Sequence, residues 1–316
     1  MIHPIPSGTR DVLPDEMREL RAITETLRGV FETHGYGEVY TPAIEYESVL
    51  QQAPGANVSP AYRVFDDHGD VLALRADMTV PIARLVATRF PTAEPPLRFC
   101  YIAHAYRQVT PHRGQMREFL QAGIELVGKP GPEGTAEALT VLCHALDAVG
   151  LEGYRIGLGD ASLYPLLLSG LGVDEEHRDR LLHELATKDF VGLEREVREL
   201  GLDTDLLVGV PQLRGGPDVL EAPPGPVADA LTGLRSILDL LETSVAERMI
   251  FDLGLARGLG YYTGAVFDVY DPALGEPLGG GGRYDDLLGR FGRALPAVGF
   301  AIGVDRLHAA LAGEER

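Results

Sequence analysis

The stretch that decides the fold is YRQVTPHRGQMREFLQAGIELVG, residues 106–128. Its polar middle carries arginines and a glycine, and strand-like segments lie before and after it. This pattern is typical of two antiparallel strands joined by a loop. We therefore expect a long hairpin with Arg113 in its loop.

The returning strand of this hairpin has two chemically different faces, because side chains alternate along a strand. One face is apolar and is expected to meet the core. On the other face, Gln121 and Glu125 flank Gly123, which leaves room for a ligand. A half-solvated sheet with a satisfied ion pair would explain the same pattern without a ligand.

Hydrophobic periodicity predicts helices and further strands around the hairpin. Apolar residues at helical spacing indicate helices over Pro14–His34, Pro81–Thr88 and Thr135–Val149. Short apolar runs indicate strands over residues 71–75 and 97–109.

Composition divides the chain into three segments. Leucine-rich helical segments occupy residues 164–247, and strand-like segments return after them. The simplest architecture is one mixed α/β domain, formed by residues 1–163 and 248–316, with residues 164–247 as a helical insertion.

Small residues near the end of the chain predict a cavity. Gly299, Ala301 and Gly303 alternate along one strand and leave its face nearly bare, within reach of Arg306. The run Gly279–Gly282 lacks the GK[ST] of a phosphate-binding loop, so it indicates either close approach of the backbone to a ligand or a plain loop.

A further polar group precedes a predicted strand in ARGLGYYTG, residues 256–264. Arg257 could clamp a carboxylate or phosphate, and the hydroxyls of Tyr261 and Tyr262 could orient a polar group. Taken alone, this group is a weak indication of a site.

The net charge argues against nucleic acid as a partner. The 316 residues include 28 Lys and Arg and 47 Asp and Glu, which gives a net charge of −19. Proteins that hold nucleic acid usually neutralise its phosphates with clustered basic residues. We expect no nucleic-acid partner.

Cysteine content and the N-terminus indicate a cytoplasmic protein without a membrane partner. Cys100 and Cys143 are the only cysteines and lie in apolar segments, where two buried, reduced thiols are expected. MIHPIPSGTRDVLP has neither the basic nor the apolar region of a signal peptide, and the apolar runs are too short to cross a bilayer. No metal-binding spacing is present, and we expect no metal site and no cofactor.

Five segments in order resemble the catalytic core of class II aminoacyl-tRNA synthetases, specifically the histidyl type. They are TPAIEY (41–46), YRQVTPHRGQMREF (106–119), ARGLGYYTG (256–264), GGGGRYDDL (279–287) and GFAIGVDRL (299–307). The resemblance implies an α+β fold with a mixed, mostly antiparallel sheet flanked by helices, and a helical insertion at residues 164–247. In the family, the first segment lies at the dimer interface and arginines of the second hold ATP.

The same resemblance implies a histidine pocket, in which Asp77 and Thr79 match the residues that hold the α-amino group and Glu125 matches the partner of the imidazole. The full set implied for histidine is Asp77, Thr79, Arg107, Gln121, Glu125, Arg257, Tyr261 and Tyr262. Residual phosphate contacts are implied for Arg113, Arg117 and Arg306, and no catalytic residue is implied.

Departures from the synthetase pattern point to a paralogous family. Gln108 and Val109 follow Arg107, which removes an acidic adenine contact, and Gly260 replaces an acidic residue. The sequence stops soon after Arg306, where synthetases carry an anticodon-binding domain, so we expect none here. With LRADMT at residues 74–79, these features resemble the regulatory subunits of ATP phosphoribosyltransferase.

That resemblance implies a non-catalytic subunit that forms a homodimer. It implies assembly with a short-form catalytic subunit into a hetero-octamer, activation of that subunit, and feedback inhibition by L-histidine in histidine biosynthesis. An enzyme that forms a histidyl adenylate without charging tRNA is the alternative. The sequence leaves open whether histidine binds the pocket or a subunit interface.

Overall fold

A computed structural model of the chain describes residues 4–53, 61–108, 116–221, 227–255 and 260–314. Within these ranges the strands are β1 (Gly37–Glu38), β2 (Ile44–Tyr46), β3 (Arg63–Phe65), β4 (Val71–Leu74), β5 (Leu97–Tyr106), β6 (Glu118–Val127), β7 (Arg155–Asp160), β8 (Arg214–Gly215), β9 (Met249–Asp252), β10 (Ala265–Tyr270), β11 (Gly279–Arg283) and β12 (Ala297–Gly303). The α-helices are α1 (Pro14–Thr33), α2 (Glu47–Leu50), α3 (Thr79–Arg89), α4 (Gly131–Ala148), α5 (Leu163–Ser169), α6 (Glu175–Thr187), α7 (Phe190–Glu199), α8 (Ala228–Leu240), α9 (Thr243–Ala246) and α10 (Val304–Glu314).

Nine of these strands form one sheet in the order β1-β5-β6-β12-β11-β10-β7-β9-β8. Only the β1–β5 and β7–β9 pairs are parallel, and the other neighbours in the described sheet are antiparallel. A smaller antiparallel sheet has the order β2-β4-β3. The predicted mixed, mostly antiparallel sheet is thereby confirmed.

The predicted hairpin strands are the long neighbours β5 and β6. Their antiparallel register places Phe99 opposite Glu125 and Ala103 opposite Gln121. Residues 109–115, where Arg113 was expected in a loop, lie outside the described residues.

Hydrophobic clusters on the two faces of the large sheet position the site. On one face, α1 and α4 pack on the sheet, and α1 buries the apolar stripe that includes Leu27 and Phe31. On the other, Met78 and the apolar residues of α3 pack against Phe99 and Tyr101 of β5. The predicted helix α1 is confirmed, whereas α4 begins four residues before its predicted start, at Gly131, because its proline-containing first turn carries no apolar periodicity.

Residues 164–247 contain most of α5 together with α6–α9, but they also contribute β8, which pairs with β9 at the edge of the large sheet. Helix α8 packs on α4, and buried leucines of this segment share one cluster with the residues of α1. The division of the chain into a core and an insertion stays a prediction.

The glycine run Gly279–Gly282 forms most of β11, so its interpretation as a plain loop is wrong. The strand lies between β10 and β12, and a Cβ at Gly281 would lie 2.0 Å from the carbonyl oxygen of Gly299. Glycine is needed here because the neighbouring backbone occupies the place of a side chain.

Both cysteines, Cys100 and Cys143, are buried and form no disulfide, as predicted. Across residues 4–53, 61–108, 116–221, 227–255 and 260–314, no helix is long and apolar enough to cross a membrane. Within the same ranges, no group of three or more His, Cys, Asp or Glu side chains could hold a metal ion.

Candidate functional site

A cavity of about 520 Å³ lies against the large sheet, with walls from α3, β6, β11, β12 and α10. Its volume is within the range of roughly 300–1,000 Å³ found for small-molecule pockets. Gly299, Ala301 and Gly303 all line it, so the bare strand face predicted from their alternation is confirmed.

The structure brings most of the predicted histidine-binding residues to this cavity. Those that line it are Asp77, Thr79, Arg107, Gln121, Tyr261 and Tyr262. Glu125 lies just behind the wall and is 1% exposed. Arg257 lies outside the described residues.

Glu125 is held by two hydroxyl groups of the cavity wall. The Thr79 hydroxyl donates to Glu125 Oε1 at 2.8 Å, and the Tyr284 hydroxyl donates to Oε2. Gly299 is opposite Glu125 in the register of β6 and β12, and its missing side chain makes room for the carboxyl group. Any ligand that displaces these hydroxyls gains a buried acceptor at this end of the cavity.

Burial raises the pKa of Glu125 from its ordinary value of 4.5 to about 8. The charge of Asp77 acts in the same direction, and the two hydroxyl donors oppose it. The ligand-free protein therefore holds this proton to a higher pH than an exposed glutamic acid does. A nearby cation would favour the charged form and lower the pKa.

Asp77 lies two residues before α3 and contributes a second acid to the same end of the cavity. Its Oδ1 accepts a hydrogen bond from the backbone N–H of Val80 at 3.3 Å. Burial raises its pKa, while this hydrogen bond and the charge of Arg107 lower it. The Arg107 guanidinium lies 5.0 Å from the centre of the Phe119 ring. This part of the cavity thus combines an acid with a stacked cation.

Polar and aromatic side chains complete the buried end. Gln121 is 8% exposed, and its Oε1 has no hydrogen-bond partner among the described residues. The Tyr261 ring lies 4.9 Å from that of Tyr262 and 5.8 Å from that of Tyr284, measured between ring centres. A buried amide oxygen without a partner is costly, so a ligand that donates a hydrogen bond to it would be stabilised.

The three arginines predicted to contact phosphate differ in their position relative to the cavity. Arg306 lines the cavity, but Glu276 and the Pro277 carbonyl group hold its guanidinium. Arg117 is not part of the lining, and its backbone N–H donates to Gly8 O at 2.7 Å. Arg113 lies outside the described residues.

Sequence reasoning missed Tyr284 as the partner of Glu125, and it also missed Glu276 as the partner of Arg306. A signal for Tyr284 exists: in a strand, Gly280, Gly282 and Tyr284 would share one face. The glycines were interpreted as either a close approach of the backbone to a ligand or a plain loop, and neither interpretation used this alternation. No comparable local pattern points to Glu276.

The raised pKa of Glu125 predicts a specific pH dependence of stability. Between pH 4.5 and 8 the unfolded chain loses this proton while the folded chain keeps it, so the free energy of unfolding falls as the pH rises. Relative to Glu125→Gln, the wild-type value should fall by up to about 1.4 kcal/mol per pH unit. Chemical denaturation of both proteins from pH 5 to 8 measures how their free energies of unfolding change with pH. The same pH dependence in both would contradict the raised pKa of Glu125.

Comparisons with known proteins agree with this geometry. Residues 8–307 match the family described as histidyl-tRNA synthetase. The chain is 41% identical to the ATP phosphoribosyltransferase regulatory subunit of Desulforamulus reducens, over 96% of this chain and 78% of the relative. It is 42% identical to the protein of that name from Symbiobacterium thermophilum, with the same coverage of 96% and 78%.

A solved structure shares the fold. It is described as an ATP phosphoribosyltransferase regulatory subunit/histidyl-tRNA synthetase from Bacillus halodurans C. The two structures superpose with a TM-score of 0.90 at 32% identity, covering 98% of this chain and 84% of the other. The order of strands around the cavity is therefore that of a synthetase-like core.

Proposed function

Because the chain belongs to the regulatory subunits of ATP phosphoribosyltransferase, within the histidyl-tRNA synthetase family, we propose that it binds L-histidine in this cavity and controls a separate catalytic subunit. The partner is the short-form ATP phosphoribosyltransferase, which carries out the first step of histidine biosynthesis. This chain activates it, makes it sensitive to histidine, and supplies no catalytic residue. The cytoplasmic location expected from the cysteines is part of the same proposal.

The observation that carries the proposal is the chemistry of the cavity wall. Histidine offers an ammonium group, a carboxylate and an imidazole, which need different partners. Asp77 suits the ammonium group and Arg107 suits the carboxylate. Gln121 of the wall and Glu125 just behind it provide acceptors for imidazole N–H groups. Arg257, implied by resemblance, is a further partner for the carboxylate.

The smaller sheet supports the proposed homodimer. Ile44, Tyr46 and Val64 are exposed on one face of this sheet. Tyr40, before β2, and Phe65, on the opposite face, are exposed to 80% and 71%. Exposed apolar patches of this kind mark interaction surfaces. We place the contact between two copies here, at the segment that resembles the dimer interface of the synthetases. A hetero-octamer then combines such dimers with catalytic subunits.

We expect this chain to raise the rate of phosphoribosyl-ATP formation by a short-form catalytic subunit, and histidine to lower the rate of the mixture. The reason is that a ligand controls an equilibrium only through its different affinities for two states, which the assembly must provide. The assay titrates histidine into the catalytic subunit with and without this chain. No activation at any ratio of matched subunits would contradict the proposal.

Adenylate formation is the second candidate, because Arg107 and Arg306 both line the cavity and could contact phosphates. Histidine-dependent exchange of pyrophosphate into ATP would demonstrate it. The regulatory proposal predicts no such exchange. The two assays on one preparation therefore separate the candidates.

A further inference from the structure

The cavity has two ends that differ in burial and in charge. At the buried end, Gln121 and Tyr284 are 8% and 3% exposed. At the open end lies the ion pair of Arg306 and Glu276, whose side chains are 45% and 55% exposed. A ligand such as histidine finds its polar partners at the buried end, so the open end needs a separate explanation.

The guanidinium of Arg306 is held on two sides by a single loop, which joins β10 to β11. Its Nη2 donates to Glu276 Oε2 at 2.9 Å, and its Nη1 donates to the Pro277 carbonyl oxygen at 2.6 Å. A guanidinium group presents paired donors that fit a carboxylate or a phosphate. Glu276 thus occupies the guanidinium group of Arg306, which a phosphate would otherwise bind.

Among the described residues that line the cavity, acids outnumber bases. The acidic lining residues are Asp77, Asp268, Glu276 and Asp305, and the basic ones among the described residues are Arg107 and Arg306. Asp305 accepts a hydrogen bond from Arg10 at 2.6 Å. Glu276 is the carboxylate that binds Arg306 at the open end. A polyanion entering this end would have to displace Glu276 against an unfavourable field.

We infer that Glu276 determines the specificity of the cavity, by occupying Arg306 and excluding polyphosphate groups while an amino acid is admitted at the buried end. The inference rests on the proposed function for the nature of the admitted ligand. The exclusion itself depends on the Glu276–Arg306 contact and the acidic lining, and not on which ligand is admitted. Removing the carboxylate should turn the open end into an anion site.

The test is the affinity for inorganic tripolyphosphate, measured by isothermal titration calorimetry at low salt, where charge effects are least screened. We expect Glu276→Gln to bind it about tenfold more tightly than wild type, the effect of one freed charge-assisted hydrogen-bonding group. The double variant Glu276→Gln, Arg306→Gln should lose this gain. Because Glu276 is 55% exposed, the single variant is expected to fold normally, which thermal melting checks.

Glu194→Gln is the matched control. Glu194 pairs with Arg198 at 2.5 Å on α7, outside the cavity lining, so this variant makes the same change in charge and also breaks an ion pair. An equal gain in this control, or no gain in a folded Glu276→Gln protein, would overturn the inference. Histidine binding by the wild-type protein is measured separately, and its absence would count against the proposed function alone.

Discussion

Replacing Glu125 with alanine is expected to weaken histidine binding by roughly 100-fold, the effect of losing a charge-assisted hydrogen bond in a buried site. The variant removes the proposed acceptor for the imidazole. It also leaves the hydroxyls of Thr79 and Tyr284 without the carboxylate that orients them. Isothermal titration calorimetry with L-histidine measures the effect.

Glu118→Ala is the matched control, because Glu118 is on the same strand but on its opposite face and does not line the cavity. We expect its histidine affinity to equal that of wild type. If folded Glu125→Ala also binds histidine like wild type, histidine does not use this cavity. Retained feedback in the mixed assembly would then place the effector at a subunit interface.

The second large effect is expected for Gly299→Ala. A Cβ at this position would lie 1.9 Å from Glu125 Oε2 and 2.5 Å from the backbone oxygen of Ile124. The carboxyl group must move, and the backbone of β6 cannot yield without disturbing the sheet. We expect the free energy of unfolding to fall by about 1–3 kcal/mol and histidine binding to become undetectable.

Chemical denaturation and calorimetry measure these two effects, with Gly233→Ala as the control. A Cβ at Gly233 would meet no atom within 4 Å, and the residue lies inside α8. Alanine is favoured over glycine in helices, so this variant should be as stable as wild type or slightly more stable. If Gly299→Ala has the same stability and histidine affinity as Gly233→Ala, the close approach of Gly299 to Glu125 limits neither property.

Elements with strong local periodicity were predictable. Leu120, Ala122, Ile124 and Leu126 recur at every second residue of β6, and α1 carries an apolar stripe along one side. Both patterns follow from backbone geometry within a few residues, so they do not depend on which elements pack against them. The same alternation placed Gln121 and Glu125 on one face of β6.

The strand β11 was not predictable in the same way. Gly279–Gly282 has no side-chain pattern, and glycine is disfavoured in strands by its conformational freedom. The reason for these glycines is the backbone of β12, which belongs to a distant part of the sequence. Without that neighbour, a close approach of the backbone to a ligand and a plain loop both stayed open.

The sequence by itself determined the faces of the long strands, the amphipathic helices, and the residue types available to a ligand. Only the tertiary structure decided that Glu125 is sealed by Thr79 and Tyr284, which are 46 and 159 residues away along the chain. It also decided that Arg306 is bound by Glu276. Periodicity is a property of neighbouring residues, whereas the pKa of an acid and the availability of a cation depend on the groups that folding brings around them.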